Sequence, residues 1–232
     1  MTPLYFLHLQ DVPIFQQLQL EEALLRTETR NFCVVNTGSP RAVVMGISGR
    51  PEELLDTSRI IADQIPVIKR FSGGGTVIVD ESTLFISFLF AKQAIDVAPF
   101  PEPLLRWSAD LYEKSWQIPN FHLKENDYVI GSKKCGGNAQ YIRKDRWLHH
   151  TSFLWDYEEA NMEYLLLPAK RPKYRLDRPH TDFLCRLKEF APQQTLIEQL
   201  KAELVKRFYI EEITPEKLQI PPHRQSSQII EF

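Results

Sequence analysis

Cysteine is scarce in this chain: 232 residues hold three, Cys33, Cys135 and Cys185, far apart and odd in number. That pattern fits reduced thiols better than a disulfide framework. No CxxC or HxxxH pair occurs to build a metal site into the fold. No apolar run is long enough to span a bilayer. The net charge is only −2, which argues against general electrostatic attachment to nucleic acid. The start, Met1-Thr2-Pro3-Leu4-Tyr5, lacks the basic flank and apolar stretch of a signal peptide. It also lacks the Arg-rich look of a transit peptide. The expectation is a cytoplasmic protein, or one already trimmed of an organelle leader, that binds neither membrane nor nucleic acid. No internal repeat or low-complexity tract is present.

What is present suits one large globular domain, with 43% hydrophobic and 25% charged residues. Leu4–Leu9 alternates as a strand, and Ile14–Thr27 carries the periodicity of a core-packing helix. Phe32–Asn36 and Ala42–Gly46 read as a strand pair across Thr37-Gly38-Ser39-Pro40. A helix opens at Pro51 and runs to about Asp63. Val67–Arg70, Thr76–Asp80 and Leu84–Phe90 form a β-rich group, and Pro101–Trp116 a long helix. β signals return at Phe121–Lys124, Tyr128–Ile130, Gln140–Arg143 and Trp147–Leu154. Tyr157–Leu166, Thr181–Phe190 and Leu196–Arg207 are helix candidates, and Pro221-Pro222-His223 opens a polar tail. The mixture lacks strict βα alternation, which predicts α+β with a mixed, largely antiparallel sheet flanked by helices. One domain is expected, with residues 1–192 as its core and 193–232 as a terminal helix and tail.

Nine glycines serve the whole chain, and three stand together in Arg70-Phe71-Ser72-Gly73-Gly74-Gly75-Thr76-Val77. Such a triplet permits φ > 0 and close backbone approach to a ligand. A cation at one end and a hydroxyl beside it suit a carboxylate or phosphate; the plainer alternative is a surface turn. A second concentration is Asn126-Asp127-Tyr128-Val129-Ile130-Gly131-Ser132-Lys133-Lys134-Cys135-Gly136-Gly137-Asn138-Ala139-Gln140. A lysine in a glycine-rich turn can set its ammonium against a phosphate, or it can be a solvated hairpin residue. In Trp147-Leu148-His149-His150-Thr151-Ser152 the adjacent histidines point to opposite strand faces, one toward the core and one toward the surface. They make a poor two-ligand metal site.

Together these pieces resemble the lipoate–protein ligase A family, within the wider biotin/lipoate protein ligase group. The resemblance rests on Arg70 before Ser72-Gly73-Gly74-Gly75, on Asn126-Asp127 before a strand, on Lys134-Cys135-Gly136-Gly137-Asn138-Ala139, and on His149-His150-Thr151-Ser152. It spans roughly Leu20 to Leu187. It implies a catalytic domain like that of the class II biotin/lipoate ligases, with the acyl chain in a tunnel. It also implies two-step chemistry: lipoate and ATP give lipoyl-AMP and pyrophosphate, and a lysine amine of a lipoyl domain then takes the lipoyl group. Acceptors would be lipoyl domains of 2-oxoacid dehydrogenase complexes or the glycine-cleavage carrier protein. Lys134 would be catalytic, an electrostatic stabiliser of both half-reactions. Arg70, Ser72, Gly73, Gly74, Gly75, Thr76, Val77, Ile78, Asn126, Asp127, Gly137, Ala139, His150 and Ser152 would bind lipoate and ATP. Magnesium is implied by ATP use, with Asp127 its candidate ligand.

Three departures from the family pattern stand out. Val79 occupies the place of a usual histidine, and Gly46-Ile47-Ser48-Gly49-Arg50-Pro51 only loosely matches a Gly-Arg-x-Gln-Asn-Pro run. Leu167-Pro168-Ala169-Lys170 through Leu184 resembles the end of the catalytic domain, which leaves little chain for the family's C-terminal accessory domain. A separate accessory subunit, or adenylation by one domain alone, would follow. The alternatives are an octanoyl or lipoyl transferase without ATP use, for which Cys135 is the thiol to consider, and a non-catalytic acyl- or nucleotide-binding module. Biotin is the lesser substrate, since biotin ligases carry a Gly-Arg-Gly-rich run instead.

Overall fold

Period-two alternation sends Leu4 and Phe6 of β1 (Thr2–Gln10) into one hydrophobic cluster and Leu7 and Leu9 into another, so both faces of this strand are covered. The computed structural model describes residues 1–167 and 171–232. Pro168, Ala169 and Lys170 of the stretch read as the end of the catalytic domain lie outside the described residues. After β1 come α1 (Ile14–Thr27), β2 (Phe32–Thr37), β3 (Ala42–Met45), α2 (Pro51–Leu54), α3 (Thr57–Ala62), β4 (Val67–Lys69), β5 (Val77–Val79) and β6 (Thr83–Ala91). Then follow α4 (Pro101–Trp116), β7 (Phe121–Lys124), β8 (Asp127–Ile130), β9 (Lys133–Ile142), β10 (Arg146–Leu154), α5 (His180–Phe183), α6 (Gln193–Val205), β11 (Phe208–Ile213) and β12 (Gln228–Ile230).

Eight strands form one sheet in the order β11-β1-β2-β6-β10-β9-β8-β7, and four form a second in the order β12-β4-β3-β5. Three pairings are parallel, β1 with β11, β1 with β2, and β3 with β4. The other pairings between these strands are antiparallel, which makes the fold the mixed, largely antiparallel α+β type expected. On one face of the large sheet α4 and α6 bury Leu104, Tyr112, Trp116, Leu196 and Leu200 against Phe88, Phe90, Trp147 and Phe153. Each such side chain contributes roughly 1.5–3 kcal/mol by leaving water. The Trp116 indole donates to Leu196 O at 3.0 Å and joins the two helices. On the other face, α1 packs Leu24 and Leu25 on the large sheet, and Ile14 and Leu18 on β3, β4 and β5.

Several expectations need correction. β2 and β3 do not pair. β2 already has β1 and β6 on its two edges, and the intervening turn is tied elsewhere. Gly38 (φ +87°) donates to Thr83 O at 2.9 Å and Ser39 to Asp80 O at 3.2 Å, so the chain crosses from one sheet to the other. The helix expected from Pro51 to Asp63 breaks at Leu55, which bridges Leu165, and restarts because the Asp56 side chain caps Arg59 N–H. Only Glu159–Tyr164 of the 157–166 stretch is helical, and it is a 3-10 segment. In the 181–190 stretch the α-helix stops at Phe183, because Leu184 bridges Lys134 and Cys185 N–H donates to Lys134 O at 2.9 Å, and only a 3-10 turn at Leu187–Glu189 follows. Lys134 through Ala139 sits within the ten-residue strand β9, not in a glycine-rich turn.

The last forty residues are more than a helix and a tail. β11 adds a parallel edge strand to β1, and β12 pairs with β4. Glu22 of α1, its side chain fully buried, accepts from Ser226 N–H at 2.8 Å and Ser227 N–H at 3.3 Å. Ser227 Oγ in turn accepts from Phe71 N–H at 3.2 Å, so this segment braces the chain just ahead of the glycine triplet.

Candidate active site

Glycine is required in this loop where backbones meet. Gly74 has φ +104°, and a Cβ there would lie 2.6 Å from Arg70 Nη2. A Cβ on Gly46 would run into the carbonyl oxygen of Gly74, so these two segments touch main chain to main chain. Gly73 and Gly75 face open space. Arg70 lies beneath the loop, 5% exposed. Its guanidinium donates to Gly73 O at 2.9 and 3.1 Å, to Gly75 O at 2.8 Å and to Val44 O at 3.4 Å. Arg70 was expected to hold phosphate or carboxylate oxygens; in the structure its donors hold the loop's own carbonyls. Burial pushes its pKa down to about 10, and the nearby Glu21 charge acts in the opposite direction. Ser72 is buried beside it, its Oγ without a hydrogen-bond partner among the described residues.

Glu21 is the residue that sequence reasoning missed. Fully buried on α1, it accepts from Gln17 Nε2 at 2.7 Å and Ser87 Oγ at 2.7 Å, and its two oxygens stand 2.9 and 3.0 Å from His150 Nδ1. Burial alone would raise its carboxyl. The His150 charge and the bonds from His150, Ser87 and Gln17 outweigh that, and the carboxyl lies below its ordinary value. The signal was the spacing: Gln17 and Glu21 fall within the stripe of Ile14, Leu18, Leu24 and Leu25 that faces the sheets.

The histidines do face opposite ways, but both are buried, His149 at 0% and His150 at 8% exposure. That corrects the expectation of one core and one surface residue. Gln140 Nε2 donates to Pro101 O at 3.1 Å and to His149 Nδ1 at 2.9 Å, which leaves the His149 proton on Nε2. Nε2–H then donates to Tyr128 Oη at 2.8 Å, and Tyr128 to Ser108 Oγ at 2.7 Å. Burial, then the neighbouring His150, pushes the His149 pKa from 6.5 down to about 3. The unfolded chain therefore binds a proton below pH 6.5 that the folded chain refuses until about pH 3. Stability is expected to fall with pH across this window, this group contributing up to ~1.4 kcal/mol per pH unit. Urea denaturation from pH 7 to 4 checks it. His149→Gln should flatten the dependence, and an unchanged slope would refute the assignment.

Lys134 sits where β9, β8 and the glycine loop converge. Its Nζ lies 2.7 Å from Asp127 Oδ1, with side-chain exposures of 22% and 8%. Asp127 Oδ2 accepts from Tyr174 Oη at 2.9 Å. Both carboxylate oxygens are therefore engaged, one by an ammonium, which does not fit Asp127 as a magnesium ligand. No cluster of three or more His, Cys, Asp or Glu suited to a metal occurs among the described residues. Lys134 lines a cavity of about 90 Å³ together with Thr76, Val77, Ile78, Gly137 and Ser152. Leu154, Met162, Leu165, Phe183 and Leu184 add apolar lining, and Thr83, Arg175 and His180 add polar groups. Burial first, then Arg175 and Lys134, pushes the His180 pKa down to about 4, so its imidazole is neutral at pH 7.

Of the expected site residues, Thr76, Val77, Ile78, Lys134, Gly137 and Ser152 meet at this cavity. Asp127 reaches it through Lys134. Ala139 pairs with His150 and packs against the underside of Gly74. Asn126 is exposed, its carbonyl accepting from the Asn138 side chain. Cys135 points the other way, into the α4 core, donating to Tyr128 O at 3.3 Å. Burial pushes its thiol well above the ordinary range, so it does not present a thiolate to the cavity.

The sequence profile of the lipoyl protein ligase A/B catalytic domain matches residues 13–209. The chain belongs to that family. Among curated relatives, the inactive lipoate–protein ligase 2 of Plasmodium falciparum is 32% identical over 245 residues, covering 80% of this chain and 63% of its own length. A probable lipoate-protein ligase A of Mycoplasma genitalium is 26% identical over 198 residues, covering 83% and 58%. The chain thus spans about three-fifths of the length of these relatives. In fold it matches a bipartite lipoate protein ligase of Thermoplasma acidophilum with TM-score 0.76 at 19% identity, covering 93% and 89% of the two chains. A lipoate-protein ligase A solved with ATP gives TM-score 0.74 at 19% identity, covering 93% and 90%. In this lipoyl ligase domain Val79, where the resemblance leads one to expect a histidine, is a packing residue, buried with Ile14, Leu18 and Phe85. Arg50 is exposed and pairs with Glu53 at 3.1 Å, away from the cavity. Among the described residues no helix is long and apolar enough to cross a membrane.

Proposed function

We propose that the chain is a lipoate–protein ligase, forming lipoyl-AMP from lipoate and ATP in the Lys134 cavity and passing the lipoyl group to a lysine of a lipoyl domain. The observation that carries this reading is the cavity's mixed lining. Lys134 and Arg175 bring cations to it, and Val77, Ile78, Leu154, Met162, Leu165, Phe183 and Leu184 bring apolar side chains. An acyl chain suits the apolar lining, and a mixed anhydride suits the cations. In the first step a carboxylate oxygen bonds to the α-phosphorus and pyrophosphate leaves. In the second, the acceptor amine bonds to the acyl carbon, the acyl–phosphate bond breaks, AMP leaves and the amine sheds a proton. In this reading Lys134, held by Asp127 at 2.7 Å, stabilises negative charge on the phosphate and acyl oxygens in both steps. Asp127 is not assigned to magnesium.

A second reading is favoured by Arg70, whose donors are committed to the loop: the chain carries out only the transfer half, using lipoyl-AMP made elsewhere or with a separate accessory subunit. ATP–pyrophosphate exchange with lipoate, octanoate and biotin tests both. Exchange with lipoate supports the full ligase. No exchange, but lipoylation of a lipoyl domain from supplied lipoyl-AMP, supports transfer alone. A lipoyl domain whose mass never shifts with either donor would defeat both readings.

A further inference from the structure

Arg175 is buried, 5% exposed, on a 3-10 turn (Lys173–Arg175) beside the cavity it lines. Its Nε donates to Arg178 O at 3.2 Å, and its guanidinium lies over the Phe183 ring, 4.7 Å from the centroid. Nη2 is buried with no hydrogen-bond partner among the described residues. Nor does any carboxylate among them form an ion pair with it, whereas Lys134 across the cavity has Asp127 at 2.7 Å. Thr76 Oγ1, on the same cavity, is a second buried polar atom with no partner among the described residues. A desolvated guanidinium without an ion-pair partner is costly, by up to several kcal/mol in real proteins, until an anion arrives.

We infer that Arg175 and Thr76 bind the phosphate of the acyl-adenylate, with Arg175 supplying the charge and Lys134 facing the acyl–phosphate junction. This rests on the adenylate reading above. The geometry favours phosphate over carboxylate. The two donors come from separate elements, Thr76 from the glycine loop just before β5 and Arg175 from the 3-10 turn, and both residues line the cavity. A tetrahedral anion presents acceptor oxygens in several directions, and a carboxylate presents only two, in one plane. Arg70, the cation that sequence alone singles out, is spent on loop carbonyls. Arg175 is therefore the guanidinium left to meet the ligand. Burial first, then Arg171, lowers its pKa from the ordinary arginine value, with Asp127 opposing, as expected of a cation awaiting an anion.

Calorimetric titration of the whole chain with lipoyl-AMP, and with lipoamide, which has the same acyl group without the phosphate, tests the assignment. Arg175→Met should weaken lipoyl-AMP binding at least tenfold and leave lipoamide within twofold. Arg175→Lys, which retains the charge and loses the fork, should fall between. Unchanged lipoyl-AMP affinity in Arg175→Met overturns the proposal. A parallel loss for both ligands also overturns it, because Arg175 would then merely shape the cavity; the Lys variant keeps that comparison available if the Met variant fails to fold. Failure of the unmutated chain to bind either compound would instead overturn the adenylate reading, and this inference with it.

Discussion

Lys134→Ala is expected to reduce lipoylation of a co-incubated lipoyl domain by at least about a hundredfold, the loss typical when a preorganised charge is removed from the site of developing negative charge. Mass spectrometry of the acceptor measures it directly. Lys134 stands 2.7 Å from Asp127 and lines the cavity beside Gly137. Space for its ammonium depends on Gly137, since a Cβ there would lie 3.1 Å from Nζ. The substitution has a structural side as well. Asp127, 8% exposed at its side chain, would keep only the Tyr174 hydroxyl. A buried carboxylate stripped of its cation costs about 1–3 kcal/mol, and more where the group is charged. Lys134→Arg separates the two effects, because it restores charge to Asp127 while moving the donor geometry. Stability should recover more fully than transfer. Full activity in Lys134→Ala would remove this residue from the chemistry.

The largest stability effect is expected from Glu21→Ala. Removing one partner of a buried charged network costs about 3–5 kcal/mol, which lowers the melting temperature by roughly 10 °C for a chain of this size. Glu21 collects hydrogen bonds from Gln17 and Ser87 and stands against His150 Nδ1, and Asn36 Nδ2 extends the network by donating to Gln17 Oε1 at 2.9 Å. It is also the negative charge acting on the buried Arg70 under the glycine loop. Glu21→Gln keeps the shape and loses the charge, so it should destabilise less. The pH profile follows the same sign: a carboxyl below its ordinary value contributes stability above about pH 4.5 that is lost as pH falls toward the folded value. Thermal denaturation of the three proteins at pH 7 and at acid pH checks both statements. Equal melting temperatures for Glu21→Ala and the parent would contradict the network.

Local pattern carried much of the architecture. The bounds of α1, α4 and β7 follow directly from amphipathic spacing, the proline at the start of α4 and the β-rich run of β7. Long-range pairing did not follow. β2 and β3 each have strand composition, yet they belong to different sheets because Gly38 and Ser39 bond to the β5–β6 turn. β11 and β12 are short and lie beyond the last helix, and each exists only because another strand offers an open edge.

The sequence by itself determined the glycine triplet, the lysine at position 134 and their family, because backbone freedom and side-chain chemistry are local properties written in residue type. Tertiary structure alone decided what each group faces. Arg70 turned inward to its own loop, His149 and His150 both became buried, and Glu21 acquired partners from α1, β6 and β10. Arg175 emerged as a buried guanidinium at the cavity with an unpartnered donor among the described residues. Burial and counter-charge are properties of surroundings assembled from distant segments. They set which cation is consumed by the fold and which is left to meet a ligand.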